Sequence, residues 1–447
     1  MEEIASKANS GSVKILRFTL ACGLLVIAAV YMLPYLNRVT TEQSNRSLIF
    51  RDLTQDYVAL QALKENINPY ETIDSLIKYI FAEDKVRGYE HATPHSPFLL
   101  TLLWPLRDLS FNTFHMSWLI FSVCTIVLSL MIACYRCRSR GCSIYLAFLI
   151  LGFAFLSRAV REDLHYGQHN SQLLLLATML WISMSKGYHR TSGLLIGVCI
   201  ALRGFGYPFL LLFIAEKRFK TLLIAALTFI FCYLCSLLIF PWDTVLNYFL
   251  DYSSQAIGCW HGHPANYSLL TLFSKFSGEL MFGVRTPPVI CYDKLNPALL
   301  LFNSAYIIIL MAVIYQRIRF SSVESKFFYF LLLSVFLSPL TWPHYLLILF
   351  PVLVLSLSTL RQILFNRHQI DQRRFLTLTL FSILCLADFT LVWSHYINQT
   401  FAPGVIILPF WLILVSSMPT ILALMLFLFG TSDIFPDDQN NKLEINS

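Results

Sequence analysis

The sequence has little charge for its length. Only 13% of its 447 residues are Asp, Glu, Lys or Arg, whereas a soluble globular domain has roughly 25%. It also has little glycine, 17 residues, which is below the average share of about 7%. Transporters that rock around broken helices are richer in glycine and proline at membrane depth, so this shortage disfavours a transporter. The low charge disfavours a soluble domain.

Long apolar runs are abundant instead. Hydrophobic residues make up 56% of the chain, and the mean hydropathy is +0.62. Runs of 18 or more apolar residues recur, and each is long enough to cross a bilayer. Because every backbone polar group in lipid must be satisfied within its own segment, we expect an all-α polytopic membrane protein. The first run, 13–36, is predicted to be a retained helix, not a cleaved leader.

About 10–12 spans are predicted, and residues 1–430 form a single transmembrane domain. Two pairs, 191–216 and 327–360, are each either two short helices or one kinked helix. A long first outer loop covers 37–110, and a polar cytoplasmic tail covers 431–447. The predicted spans are 13–36, 111–135, 141–157, 171–186, 191–203, 206–216, 221–240, 297–316, 327–338, 345–360, 375–393 and 404–430.

Basic clusters between the spans fix the orientation. Five of them fall on one side of the membrane, which the positive-inside rule makes cytoplasmic. They are "RCRSR" at 136–140, "KGYHR" at 186–190, "EKRFK" at 216–220, "QRIRF" at 316–320 and "RQILFNRHQIDQRR" at 361–374. The net charge of +7 therefore reflects topology, and no nucleic-acid partner is expected. The predicted location is the plasma membrane, multi-pass.

A polar cluster lies on the opposite, extracytoplasmic side. The stretch "LSRAVREDLHYGQHN" at 156–170 holds Arg158 and Arg161, which defy the positive-inside rule. Ionisable residues near membrane depth are expensive and usually functional. Four further polar segments reach the same side, at 202–208, 259–270, 338–345 and 393–400. Cys259 and Cys291 share one outer loop there, and whether they pair is left open.

The first outer loop carries candidate catalytic carboxylates. Apolar spacing predicts a short amphipathic helix at 53–65, lying at the membrane surface, and a second at 71–83. Asp52 and Asp56 are four residues apart and share one face of the first helix. Such a carboxylate can take a proton from an attacking sugar hydroxyl, while cations stabilise a departing phosphate. Together these are the parts of a lipid-phosphate sugar transferase.

Four motifs resemble, in order, those of polyprenol-phosphate-dependent glycosyltransferases of family 87 (DUF2029). "RDLTQDYVALQALKENINPY" is similar to D-F-x-x-Y-Y-x-A-x-x-A-L-x-x-G-x-x-P-Y, with Asp52 on the family's aspartate. "HYGQHNSQLLLL" resembles its G-Q-x-N segment, on Gln168 and Asn170. "NYSLLTLF" resembles N-x-S-L, and "LSPLTWPHYLLILFP" resembles S-P-x-S-W-x-H-H, with His344 in the latter. The resemblance spans about 50 to 360.

The resemblance implies a GT-C fold and an inverting transfer. It implies a first-loop aspartate as base, a polyprenyl-phosphate donor of a mannose- or arabinofuranose-like sugar, and a glycolipid or polysaccharide acceptor. It implies no required metal or cofactor. The candidate catalytic residues are Asp52 and Asp56. The candidate residues for the donor phosphate and substrate are Arg158, Arg161, His165, Gln168, Asn170, Arg203 and His344.

The chain departs from the family pattern at three places. Asp56 stands where the first tyrosine is usual, so which aspartate is the base is left open. "ALRGFGYP" replaces A-L-K-P-x-P, with Arg203 in place of the lysine. "HSP" at 95–97 replaces the usual double proline.

Structural interpretations of the same residues remain open. The two aspartates are also compatible with a solvated helix face. Arg158 and Arg161 suit lipid headgroups or partners such as Glu162 and Asp163. Gln168 and Asn170 suit capping of a helix that begins near Ser171. His165 and His344 are equally compatible with structural roles.

Two further functions compete with transfer. A transporter or flippase for a polyprenyl-linked envelope intermediate would account for many spans and basic outer residues, but would predict an internal repeat. A non-catalytic subunit of an envelope-assembly complex would tolerate loss of Asp52.

Overall fold

A computed structural model gives the fold of most of the chain. It describes residues 19–33 except 21 and 31, 52–82, 91–253 except 141, 266–271, 297–365, 371–387 and 417–435. Every regular element within these ranges is helical. The predicted all-α class of the polytopic membrane protein is therefore confirmed. The loop holding Cys259 and the position of Cys291 lie outside the described residues.

Residues 22–30 are helical, and sixteen helices from Asp52 onward are labelled in chain order. They are α1 (Asp52–Lys64), α2 (Ile73–Phe81), α3 (Pro97–Leu103), α4 (Phe111–Arg136), α5 (Ile144–Leu156), α6 (Arg158–Tyr166), α7 (Asn170–Ser185), α8 (His189–Arg203), α9 (Tyr207–Ala215), α10 (Phe219–Ser236), α11 (Trp242–Asn247), α12 (Pro297–Ile318), α13 (Val323–Phe336), α14 (Phe350–Phe365), α15 (Gln372–Leu386) and α16 (Met418–Phe429). Three 3₁₀ segments, Trp104–Leu106, Arg138–Arg140 and Pro343–Leu349, and a π-helical turn, Tyr248–Tyr252, join them.

Three helical runs in the described part of the chain are long and apolar enough to cross a membrane. They are α4, α10 and the run Pro343–Leu364. A fourth crossing is available if α5 and α6, which meet at a bend of 56°, count as one broken span. The full count of 10–12 stays a prediction, because the predicted spans 13–36, 375–393 and 404–430 lie partly outside the described residues.

Both ambiguous pairs of predicted spans are two helices each. Gly204 and Gly206 have φ of 62° and 92°, so the chain leaves α8 through a left-handed turn that glycine adopts without strain. In the other pair, α13 ends at Phe336 and the next helical segment begins at Pro343. These two breaks bring polar segments to the same region of the fold, where a cavity lies.

Helix α13 runs through the centre of the packed helices. All ten residues from Phe327 to Phe336 are buried, and a helix that is apolar on every side is a core helix. Its carboxyl end delivers the segment 337–342 to the cavity. Asn266 holds this segment: its side chain donates to Pro339 O at 3.1 Å and accepts from Thr341 N at 2.9 Å.

Helices α8 and α10 pack at close range through two glycines. Gly193 and Gly197 are four residues apart on one face of α8, a small-xxx-small spacing that lets helix backbones approach in membranes. A Cβ at Gly193 would lie 2.5 Å from Thr221 O, and one at Gly197 would lie 2.6 Å from Ala225 O. Both contacts are with the backbone of α10, so the neighbouring helix cannot yield by a side-chain movement.

Helix α1 is largely buried. The predicted helix at 53–65 is present with nearly the same bounds, but its polar residues Thr54, Gln55 and Asp56 are all buried. Thr54 Oγ1 lies 3.4 Å from His115 Nε2 of α4. The polar side chains of α1 therefore meet polar side chains of other segments and not water. The position of this helix at the membrane surface stays a prediction.

Replacing Gly197 with valine should loosen the α8–α10 pair. The added side chain would meet the Ala225 carbonyl, and overpacking of this kind costs about 1–3 kcal/mol. We expect a clear fall in the thermal unfolding midpoint of the detergent-solubilised protein. Gly23→Ala is the control, because a Cβ there meets no atom within 4 Å. Equal midpoints for Gly197→Val and wild type would contradict the close packing.

Candidate active site

A large cavity lies where the helix breaks meet. Its volume is about 660 Å³, within the range of small-molecule sites. Charged and polar side chains line one part of its wall: Asp52, Gln55, His91, His95, Arg158, Glu162, Gln168, Arg203 and His344. Aromatic rings line much of the rest: Tyr166, Tyr207, Phe229, Tyr233, Tyr248, Phe249, Trp342 and Tyr345. Few convergent polar groups in an otherwise apolar wall are typical of a binding site.

Asp52 reaches the cavity from the first turn of α1. Gln168 Nε2 donates to its Oδ2, and Gln55 Nε2 donates to its Oδ1 at 3.3 Å. Burial raises the pKa of Asp52, and His344, His95 and Arg203 offset only part of that rise. The carboxylate is thus oriented by two amides and is a better proton acceptor than a solvent-exposed aspartate.

Arg203 stands at the end of α8, on the other side of Gln168. Its Nη1 donates to Gln168 Oε1 at 3.1 Å and to Asn170 Oδ1 at 3.5 Å. Its guanidinium lies over the Tyr345 ring, 5.1 Å from the centroid, a cation–π arrangement. The Gln168 amide therefore bridges the carboxylate of Asp52 and the guanidinium of Arg203.

The turn between α6 and α7 sets the position of Gln168. It passes through Gly167, whose φ is 66° and where a Cβ would lie 2.6 Å from Leu53 Cβ of α1. Only glycine satisfies both the left-handed conformation and this close approach. Asp163 secures the far side of the turn, because its Oδ1 accepts from Asn170 N at 3.3 Å and Asn170 Nδ2 at 3.0 Å.

His344 provides a basic group near α6. It is buried, and neither ring nitrogen has a hydrogen-bond partner among the described residues. Its Nδ1 lies 3.7 Å from Glu162 Oε2, and Arg158 Nε donates to the other oxygen of Glu162 at 2.5 Å. A buried imidazole with unsatisfied nitrogens on a cavity wall is prepared to bind a polar ligand.

Asp56 lies behind the cavity wall with a histidine on each carboxylate oxygen. Its Oδ1 is 2.5 Å from His95 Nδ1, and its Oδ2 is 2.8 Å from His169 Nε2. Burial alone would raise the pKa of Asp56. The opposing effect of the two imidazoles is larger, so the pKa lies below its usual range. The side chain is fully buried, so the alternative of a solvated helix face is wrong for Asp56.

Five of the nine predicted site residues line the cavity, and four do not. The five are Asp52, Arg158, Gln168, Arg203 and His344. Asn170 supports the wall from behind. Arg161 and His165 are on another face of α6, and His165 lines a separate small pocket beside His115 and Trp118. Helix α7 begins at Asn170 with His169 as its N-cap residue, so Gln168 and Asn170 are not the N-cap.

Sequence reasoning missed several residues of the wall. Glu162 and Tyr166 follow Arg158 at intervals of four and line the cavity with it, which helical spacing predicts once α6 is assigned. His95 and His169 carry no such local signal. They meet Asp56 across 39 and 113 residues of chain, and periodicity reports only on neighbours along one helix.

Comparison with known families decides the class of the protein. A model described as "Glycosyltransferase family 87" matches residues 94–343, more than half of the chain. The chain belongs to glycosyltransferase family 87. As a member of family 87 it transfers a sugar from a donor to an acceptor. The match includes the turn at Gln168 and Arg203, ends at Pro343 beside His344, and begins after Asp52 and Asp56. Neither the curated proteins nor the solved structures contain a significant match.

Proposed function

We propose that this family 87 enzyme moves a mannose- or arabinofuranose-like sugar from a polyprenyl phosphate to a lipid-linked or polysaccharide acceptor. The proposal rests chiefly on one cavity, in which the Asp52 carboxylate and the basic side chains of Arg203, Arg158 and His344 share a wall. A base beside cations is the arrangement that transfer from a sugar phosphate requires.

Asp52 suits the role of base better than Asp56. Asp52 faces the cavity, where an acceptor hydroxyl would bind. Both oxygens of Asp56 are engaged by imidazoles, and the side chain has no exposed surface. A general base must come within hydrogen-bond reach of the proton that it removes, and of the two aspartates Asp52 is the one that lines the cavity.

The basic groups suit the leaving phosphate. Arg203 presents a guanidinium whose planar donors match phosphate oxygens. The ring nitrogens of His344 have no hydrogen-bond partner among the described residues, and His344 lines the same cavity. Glu162 lies between His344 and Arg158. Donors fixed in advance stabilise the charge that develops as the phosphate departs.

A lipid-linked donor suits the apolar side of the cavity. Phe249 lines the cavity and is 46% exposed. Its ring packs against Phe229 and Tyr233 of α10, which also line the cavity. An isoprenoid chain lying along these rings would keep its tail in lipid while its phosphate reached Arg203.

The proposed step is a direct displacement. The acceptor hydroxyl oxygen attacks the anomeric carbon of the donor, and its proton passes to Asp52. The bond between the anomeric carbon and the phosphate oxygen breaks, and its electron pair leaves with the polyprenyl phosphate. Attack opposite the leaving group inverts the anomeric centre. Arg203 and His344 bind the phosphate as its charge grows.

The site is proposed to face the extracytoplasmic side of the plasma membrane. The five basic clusters of the sequence are predicted to lie between spans on the other side. Arg158 stands against that rule, and its place on the cavity wall beside Glu162 supports a functional reason for its charge.

Transfer by the purified full chain tests this function. The protein, in nanodiscs, is given radiolabelled polyprenyl-phosphate sugars and a panel of lipid acceptors. We expect transfer by wild type, and a fall of about 10²- to 10⁴-fold in Asp52→Asn, which removes the base. Asp108→Asn is the matched control, since Asp108 is 62% exposed, does not line the cavity and pairs with Lys64 and Arg107.

Three outcomes would contradict the proposal. Full transfer by Asp52→Asn would exclude Asp52 as the base. Loss in Asp56→Asn with transfer retained in Asp52→Asn would move the base to Asp56. Movement of an intact polyprenyl-linked sugar across the bilayer, with no transfer to any acceptor of the panel, would favour a flippase.

The rate of transfer should fall as the pH is lowered, and this fall should occur at a higher pH than for an ordinary aspartate base. The base acts only when deprotonated, and the pKa of Asp52 is raised above its ordinary value of 3.8. Activity is therefore present above the raised pKa and lost as the pH falls through it. The profile of kcat/KM against pH measures this, and an acid limb at or below pH 3.8 would contradict the burial of the base.

A further inference from the structure

Three buried side chains converge at a point that the transfer reaction does not use. Asp56 comes from α1, His95 from the segment before α3, and His169 from the turn before α7. One ligand atom from each lies within 4.8 Å of the other two. The imidazole rings of His95 and His169 are nearly perpendicular, at 87°, with centroids 4.9 Å apart. We propose that Asp56, His95 and His169 form a binding site for a divalent transition-metal cation of the zinc type.

The donor set favours zinc over the hard cations. Two imidazole nitrogens and one carboxylate are a common protein ligand set for Zn²⁺, which leaves one position for water or another oxygen. Magnesium and calcium prefer sites built from oxygen atoms alone. Here two of the three groups offer nitrogen, so the cluster selects a borderline cation.

Neighbouring side chains hold the proposed ligands in place. The Trp118 ring packs against the His169 ring with centroids 4.7 Å apart, and Trp118 Nε1 donates to Gln168 O at 3.2 Å. Tyr70 OH donates to His95 O at 2.9 Å. These contacts fix the position of the His169 ring and of the backbone at His95.

The cavity supplies an entry path. His95 lines it, whereas Asp56 and His169 lie behind the wall. An ion can therefore reach the cluster from the cavity past His95, and a cavity water can fill the fourth position. On binding, metal–ligand bonds replace the two hydrogen bonds. The N···O separations would lengthen from 2.5 and 2.8 Å to about 3 Å, as in tetrahedral zinc sites.

The ion would have a structural role and would take no part in the reaction. Asp52 lies one helical turn before Asp56 on α1. A metal that joins Asp56 to His95 and His169 would tie α1 to the segments on both sides of it. The direction in which Asp52 points into the cavity would then be fixed. This inference stands independently of the proposed transfer reaction.

Metal content of the purified full chain tests the site. The protein is stripped with a chelator, dialysed against Zn²⁺ and analysed by mass spectrometry. We expect about one equivalent per chain, and affinity at least about 100-fold weaker in Asp56→Asn and His169→Asn. His91→Asn is the control, because His91 is another buried cavity histidine outside the cluster. It should keep the full equivalent.

Asp56→Asn also separates metal binding from simple hydrogen bonding. An asparagine retains one acceptor and gains one donor, so it can still bond both imidazoles and preserve the fold. Equal Zn²⁺ uptake by folded Asp56→Asn and wild type would overturn the proposal. So would the absence of stoichiometric uptake by wild type. If the variants fail to fold, Co²⁺ bound to wild type provides the measurement: a tetrahedral nitrogen–oxygen absorption spectrum supports the site, and the spectrum of hydrated Co²⁺ refutes it.

Discussion

The amide of Gln168 is the contact on which the candidate site depends. It donates to Asp52 and accepts from Arg203. One neutral group therefore holds a carboxylate and a guanidinium in the same wall without a direct ion pair between them. A direct ion pair would lower the basicity of the carboxylate and occupy the guanidinium. With the amide between them, Asp52 remains a proton acceptor and Arg203 retains donors for a phosphate. The left-handed turn at Gly167 is what presents this amide.

A second constraint is the burial of two acidic groups beside the cavity. A carboxylate away from water must be satisfied by hydrogen bonds or opposite charge. Asp163 meets this need through Asn170, and Asp56 meets it through two histidines. The bonds of Asp163 close the α6–α7 turn, and those of Asp56 join helix α1 to this turn and to the segment before α3. The groups that carry the proposed chemistry thus stand beside two buried carboxylates that are held by hydrogen bonds.

Much of this arrangement could be predicted from the sequence, but the fold, the motif residues and the long-range contacts were predictable to different extents. The apolar runs indicated an all-helical membrane protein, and the family motifs led to Asp52, Gln168 and His344, which the structure brings to one cavity. The prediction for 158–166 was incomplete because the stretch was treated as a loop. As helix α6 it presents Arg158 to the cavity and turns Arg161 away. The pairing of Asp56 with His95 and His169 was beyond reach, since no local periodicity links residues so distant in the chain.

The most direct test of the account separates binding from chemistry in Asp52→Asn. Donor affinity and the single-turnover rate are measured with the same polyprenyl-phosphate sugar and saturating acceptor. The account predicts a donor affinity within a few-fold of wild type, because Arg203 and His344 remain, and a rate lower by about 10²- to 10⁴-fold. A single-turnover rate equal to that of wild type would show that Asp52 is not the base and would contradict the account.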